Sequence, residues 1–202
     1  QPIIVEAGVF QDGLKFTHTD TTNGKRLFVP VTSANLGAFT LVYVGKVTVS
    51  HNSINTILGA TRGVVSYATG TIGLCINSST GTISVVNEVT TSERVIKTNT
   101  SLNTTLNEDF VAFASYEDAE SGPDLLISVD GNADTSFSFP SGFLMNRNKN
   151  IGIMNATGNS TAQYRTQESP TGICREVLVY DTNQTDNRVA LETNINNQYN
   201  LF

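Results

Sequence analysis

Three polar side chains alternate in the stretch "DGNAD": Asp130, Asn132 and Asp134. That spacing resembles the opening of a calcium loop, in which alternate oxygen ligands converge on one cation. The sixth position of such a loop needs glycine, but Thr135 stands there, and no glutamate closes a twelve-residue loop. The first reading is therefore an ordinary hairpin turn, since Asp130-Gly131 suits a type I′ turn; a bound calcium ion is the alternative. A second acidic group, Glu117, Asp118 and Glu120, sits in "YEDAESGP". General acid and base work on a glycosidic bond needs two carboxylates held toward one groove, which alternate residues of a strand can provide. "EDAESGP" is rich in turn formers, so these acids read as solvated loop residues.

Other catalytic chemistry finds less support. His18 and His51 are the only histidines, no Gly-x-Ser-x-Gly elbow is present, and no glycine-rich loop opens a helix to cradle phosphate. Cys75 and Cys174 have no metal-ligand spacing and lie in the apolar runs "TIGLCI" and "GICREVLVY". They read first as buried thiols outside any disulfide, with a bond between neighbouring strands as the alternative. Recognition remains. A sugar ring needs an apolar face to stack on and amide, acid or guanidinium groups to meet its hydroxyls. The chain has no Trp. Tyr67, Tyr116 and Tyr164 are the tyrosines nearest expected loops or strand ends. Arg165 and Gln167 stand beside Tyr164 in a polar stretch. These five are the candidate ligand-binding residues, with packing as their alternative role. Asn77, Asn99, Asn103, Asn155, Asn159 and Asn183 open Asn-x-Ser/Thr sequons; these read first as chance matches in a chain rich in these residue types, with a glycan coat as the alternative.

The elements that must position such residues are strands. Short apolar or alternating runs recur between turn signals: "GLKF", "RLFVPV", "AFTLVYVGKVTV", "INTILGA", "GVVSYA", "TIGLCI", "GTISVV", "DFVAFASYE", "DLLISVDG", "TSFSF", "NIGIMN" and "ICREVLVY". So many strands in 202 residues give the rhythm of a two-sheet antiparallel sandwich forming one domain over residues 1–202. Two polar stretches, 90–109 and 155–172, read as long surface loops. The period changes only at the end. In "TDNRVALETNINNQY", Leu191, Ile195 and Tyr199 recur every four residues, the stripe of a short helix that Thr185 or Asp186 would cap.

Composition narrows the partners. Charged residues are 15% of the chain, and the formal charge of −6 comes without any Lys/Arg cluster, so nucleic acid is not an expected partner. No apolar run reaches the roughly 18 residues of a membrane span. A chain starting at Gln1 without a Met or a signal-like segment reads first as a part excised from a longer protein, with processing as the alternative.

The order of these pieces resembles the concanavalin A-like (laminin-G-like) jelly rolls. "FQDGLKF" is similar to their opening strand. "LFVPVTSANLGAFTLVYVGKV" is similar to the stretch that follows, with Tyr43 where a Trp is usual, and "INTILGA" to the next strand. "LNEDFVAFASYEDAESGPDLLISVDG" is similar to their central hairpin, with Phe110 in a Trp position, and "NIGIMNATG" to a later strand. "ICREVLVYDTNQTDNRVALETNI" is similar to their ending, a last strand followed by a helical turn, with Arg175 where Asp is frequent. The resemblance implies a jelly-roll sandwich with a short C-terminal helix, of a kind found in lectins, glycosidase-associated modules and phage fibres. Calcium near the rim occurs in several members. The expectation is a non-catalytic carbohydrate-recognition domain of a virion or extracellular surface protein, such as a phage fibre, spike or capsid-surface protein. Its partners would be host-surface glycans, and homo-oligomerisation would come through the parent protein. The alternative is a structural or adhesive decoration module that contacts other virion subunits.

Overall fold

The computed structural model describes residues 3–6, 9–16, 27–29, 35–49, 55–59, 71–77, 80–88, 94–117, 124–137, 145–146, 151–154 and 170–202. Two antiparallel sheets dominate them. The larger has seven strands in the order β1 (Ile3–Glu6), β2 (Val9–Phe16), β15 (Thr171–Tyr180), β5 (Ala38–Val49), β10 (Phe110–Glu117), β11 (Leu125–Val129) and β12 (Asn132–Phe137). The smaller has six: β3 (Leu27–Val29), β14 (Ile151–Ile153), β6 (Asn55–Gly59), β7 (Thr71–Ile76), β8 (Thr82–Glu88) and β9 (Arg94–Asn103). A short pair, β4 (Asn35–Leu36) with β13 (Met145–Asn146), stands apart. The chain closes with a 3-10 turn at Thr185–Asn187 and one helix, α1 (Arg188–Tyr199).

Period-two alternation decides which side chains enter the sandwich. On β5, Phe39, Leu41 and Tyr43 point inward, and on β10 so do Phe110, Ala112, Ala114 and Tyr116. Ala112 lies opposite Tyr43 and Ala114 opposite Leu41, so small residues leave room for large ones. The rings of Phe39 and Tyr116 stack at 5.3 Å, and those of Tyr43 and Phe110 tilt together at 5.5 Å. Ile57, Leu58, Leu74, Ile76, Ile83 and Val85 of the smaller sheet close this core. The buried Tyr43 hydroxyl donates to the Ile173 carbonyl at 3.1 Å, which meets the need of a polar atom kept from water.

The intervening positions point the other way. Val42, Val44, Val111 and Phe113 form an apolar floor on the outer face of the larger sheet, and Ile195 of α1 buries itself on it. Leu126, Leu178, Leu191, Tyr199 and Leu201 complete this second layer. Leu191, Ile195 and Tyr199 therefore form the docking stripe that their spacing predicts. The helix starts differently from expectation. Neither Thr185 nor Asp186 caps it; Asn183 Oδ1 accepts from the Thr185 amide at 2.7 Å and starts the 3-10 turn instead. Asn200, in the left-handed region at φ 52°, ends the helix, and its amide donates to the Asn196 carbonyl.

A register shift between Cys174 and Glu176 on β15 marks a bulge opposite Gly45. Gly45 has φ +154° there, and a Cβ would collide with the Ile173 carbonyl oxygen. Bulged out, Arg175 reaches Asp109 in a two-pronged ion pair, with Nε to Oδ1 at 2.9 Å and Nη2 to Oδ2 at 2.8 Å.

One stretch read as loop is a strand. Within 90–109, Arg94–Asn103 is β9, the edge of the smaller sheet. Edge strands tolerate the polar and charged residues that make this segment look like a loop, because only one neighbour needs them. The expected strand "GVVSYA" and most of 155–172 lie outside the described residues.

Candidate functional site

The rim where β10 hands over to β11 carries a cleft. It is built from two distant stretches of chain. Glu117, Asp124, Leu125 and Leu126 come from the β10–β11 hairpin; Asn183, Thr185 and Asp186 come from the turn that leads into α1. The cleft encloses about 270 Å³. Glu117 is exposed at its mouth, whereas Asp124 is buried. The hairpin is fixed locally, with the Glu117 amide donating to the Asp124 carbonyl at 3.0 Å and the Asp124 amide to Phe137 at 2.9 Å.

The opposite wall is held by two buried hydroxyls. Thr40 and Ser115 face each other across β5 and β10, with their oxygens 2.7 Å apart. Thr40 Oγ1 donates to the Thr182 carbonyl at 2.9 Å, and Ser115 Oγ donates to Asn183 Oδ1 at 3.0 Å. The Gln184 amide donates to both hydroxyl oxygens at 3.0 Å. This network sits where the apolar floor of the outer face ends. It satisfies backbone groups that would otherwise be buried unpaired, and it pins residues 182–185 to the sheet. Because Asn183 Oδ1 is engaged by Ser115 and Thr185, its carboxamide is fixed as part of the cleft wall.

Chemically, the cleft offers carboxylates, one carboxamide, one hydroxyl and a leucine ledge. None of its described lining residues is basic. Such a wall accepts hydrogen bonds from hydroxyl groups and gives an apolar strip for a carbon skeleton.

None of the described candidate residues from the sequence lines this cleft. Tyr116 is a correction: its ring is fully buried in the sandwich, against Phe39, and cannot meet a ligand. It follows Phe110, Ala112 and Ala114 at the same parity of β10, so its inward direction belongs to the strand and not to the loop beyond it. Tyr67, Tyr164, Arg165 and Gln167 lie outside the described residues. Asp130 and Gly131 form the expected hairpin turn, with φ 51° and 69°. Asp130 brackets Val111: its amide donates to the Val111 carbonyl, and its Oδ1 accepts from the Val111 amide at 2.8 Å. Asn132 is exposed, and its carbonyl accepts from Ser128 Oγ at 2.9 Å. Asp134 follows on β12. Among the described residues, no group of three or more His, Cys, Asp or Glu side chains is arranged to hold a metal ion.

Both cysteines are buried thiols and no disulfide joins them, as their apolar settings indicate. Burial pushes the Cys174 thiol up to about 12, with help from the charge of Glu176, so it is inert as a nucleophile. Among the described residues no helix is long and apolar enough to cross a membrane.

No protein-family model matches the chain, and no curated protein sequence is similar to it. Solved structures share its fold, a jelly-roll β-sandwich. A native heptameric SAP-like pentraxin from Limulus polyphemus superposes with a TM-score of 0.64 at 14% identity, over 88% of this chain and 78% of that one. The CBM40 of a Ruminococcus gnavus IT-sialidase, bound to α2,3-sialyllactose, gives 0.58 at 13% identity, over 83% of this chain and 96% of that one. A full-length tailspike protein of an Escherichia coli bacteriophage gives 0.57 at 12% identity, covering 90% of this chain but 24% of the tailspike. At such identities the likeness concerns the fold.

Proposed function

We propose that this chain is a concanavalin A-like carbohydrate-recognition domain, non-catalytic, carried by a virion or extracellular surface protein that attaches to host glycans. The observation that carries the reading is the likeness, over 83% of this chain and nearly the whole of the other, to a carbohydrate-binding module. The tailspike likeness, confined to a quarter of that chain, supports a place within a larger attachment protein. The cleft between Glu117 and Asp186 is the binding site in this reading. Its wall of acceptors suits the hydroxyl donors of a neutral sugar and repels a carboxylated one such as a sialic acid. A shallow site of this kind binds weakly alone, and several copies in the parent oligomer would raise the avidity.

The test is a glycan array probed with the chain displayed on multivalent beads. Binding to neutral glycans, lost in Asp186→Lys, is the expected result. No glycan binding, together with a stable contact to another virion subunit, would replace this reading with that of a decoration module. Polysaccharide cleavage abolished by Glu117→Gln would show an enzyme instead.

A further inference from the structure

The carboxamide of Asn183 has a fixed orientation. Its Oδ1 accepts from the Thr185 amide at 2.7 Å and from Ser115 Oγ at 3.0 Å. A backbone N–H can only donate, so the atom facing Thr185 is the carboxamide oxygen. Ser115 is itself held on β10 by the Gln184 amide, at 3.0 Å, which keeps this pair of contacts in place. Nδ2 stands on the other side of the carboxamide carbon. It has no hydrogen-bond partner among the described residues, while Asn183 is only half-buried and lines the cleft. The residue thus spends its acceptor on the fold and turns its donor to the cleft. The lining around it has the opposite character. Glu117, Asp124 and Asp186 bring carboxylate acceptors, and the half-buried Leu126 brings an apolar surface.

We infer that Asn183 is the specificity-determining residue of this cleft and that the ligand it selects is an N-acetylated amino sugar. The inference rests on the carbohydrate-recognition reading of the cleft. An acetamido group carries one carbonyl acceptor, one N–H donor and one methyl group. Its carbonyl oxygen suits Nδ2, its N–H suits a carboxylate of the wall, and its methyl suits the leucine. A hydroxyl in the same place can still donate to a carboxylate, but it brings no methyl to Leu126 and no carbonyl to Nδ2. A carboxylated substituent would offer acceptors to Nδ2, yet the surrounding carboxylates repel it. The cleft of about 270 Å³ lies below the roughly 300–1,000 Å³ of pockets for drug-sized ligands, a size that suits one sugar ring and its substituent.

The test is an NMR titration of the isotope-labelled chain with four methyl glycosides: those of N-acetylglucosamine, N-acetylgalactosamine, glucose and galactose. The two acetamido sugars should bind roughly tenfold more tightly than their hydroxyl counterparts, and they should shift the side-chain NH₂ signals of Asn183. Asn183→Asp keeps an oxygen for Thr185 and Ser115 and replaces the donor with an acceptor. Backbone signals at residues 182–186 should show the turn retained in this variant, and its preference for the acetamido sugars should vanish. The wild-type titration decides the ligand class even where the added charge disturbs the turn. Equal affinity for all four sugars would overturn the inference and leave the cleft a sugar site. An unchanged preference in a folded Asn183→Asp chain would overturn the role of Asn183. Binding to none of the four would overturn the carbohydrate reading of the cleft, and this inference with it.

Discussion

The larger sheet is covered on both faces of its middle strands β5 and β10, and the two faces are covered with different chemistry. Its inner face is closed by the other sheet and is almost wholly apolar, with Phe39, Leu41, Tyr43, Phe110 and Tyr116 interlocked. Its outer face is apolar under α1 and the tail that follows. At one end the apolar floor gives way to the hydroxyls of Thr40 and Ser115, and on β11, beside Phe113, Ser128 meets the Arg188–Glu192 pair. An apolar interface holds two surfaces together without specifying their alignment closely, because the hydrophobic effect has no direction. Hydrogen bonds and ion pairs have direction, and here they fix where the turn before α1 lies. The inner face supplies the fold, and the outer face supplies the placement of the residues that line the cleft.

That contrast can be broken at several points. The largest loss should follow Phe39→Ala, which empties a fully buried ring site stacked on Tyr116. Destabilisation of about 3–5 kcal/mol is expected, read by chemical unfolding of the whole domain. Ile195→Ala should cost less, about 2–3 kcal/mol, because the helix can settle toward the sheet. Its signature is local: helical amides lose protection while those of β5 and β10 keep theirs. Equal loss in both regions would show that the two layers are a single cooperative unit. Ser115→Ala should cost about 1–2 kcal/mol by leaving the Gln184 amide and Asn183 short of a partner. The same variant should alter amide shifts at residues 182–186 more than in the inner core. Gly131→Ala should be mildest at about 1 kcal/mol, from its left-handed backbone and the displaced Phe202 ring, which rests where a Cβ would stand. Loosened exchange confined to the tail would confirm it.

The sandwich was legible in the sequence because alternation and turn chemistry agree along most of it. β5, β10, β11 and β15 are long apolar runs, and Asp130-Gly131 announces its own turn. The same rule, carried one step further, places Tyr116 inside, since it shares parity with Phe110. A position next to the polar "EDAESGP" made it look like a rim residue. β9 was hidden by its edge position, where pairing needs backbone and little apolar side chain. Glu192, buried on α1, was hidden because a glutamate beside an apolar stripe normally points to water. Only the preceding turn, with Arg188 at i−4, hints at a buried partner. The cleft had no local signature at all. Its walls are two segments far apart in sequence that meet only once β10 and β15 have flanked β5, and neither wall contains a motif.

The strand order of the larger sheet carries one more consequence. β5 is paired on one side with β15 and on the other with β10, so the middle of the sheet joins residues 38–49 to residues 171–180. On a ribosome, β15 emerges after every other strand of this sheet. Until it does, one edge of β5 stays open, β2 is paired only with β1, and the apolar floor has nothing to cover it. The chain must close its longest loops before these contacts can stabilise it, which makes for slow folding from non-local pairs. A nascent chain stopped before residue 171 would leave one edge of the apolar β5 unpaired and open to other chains nearby.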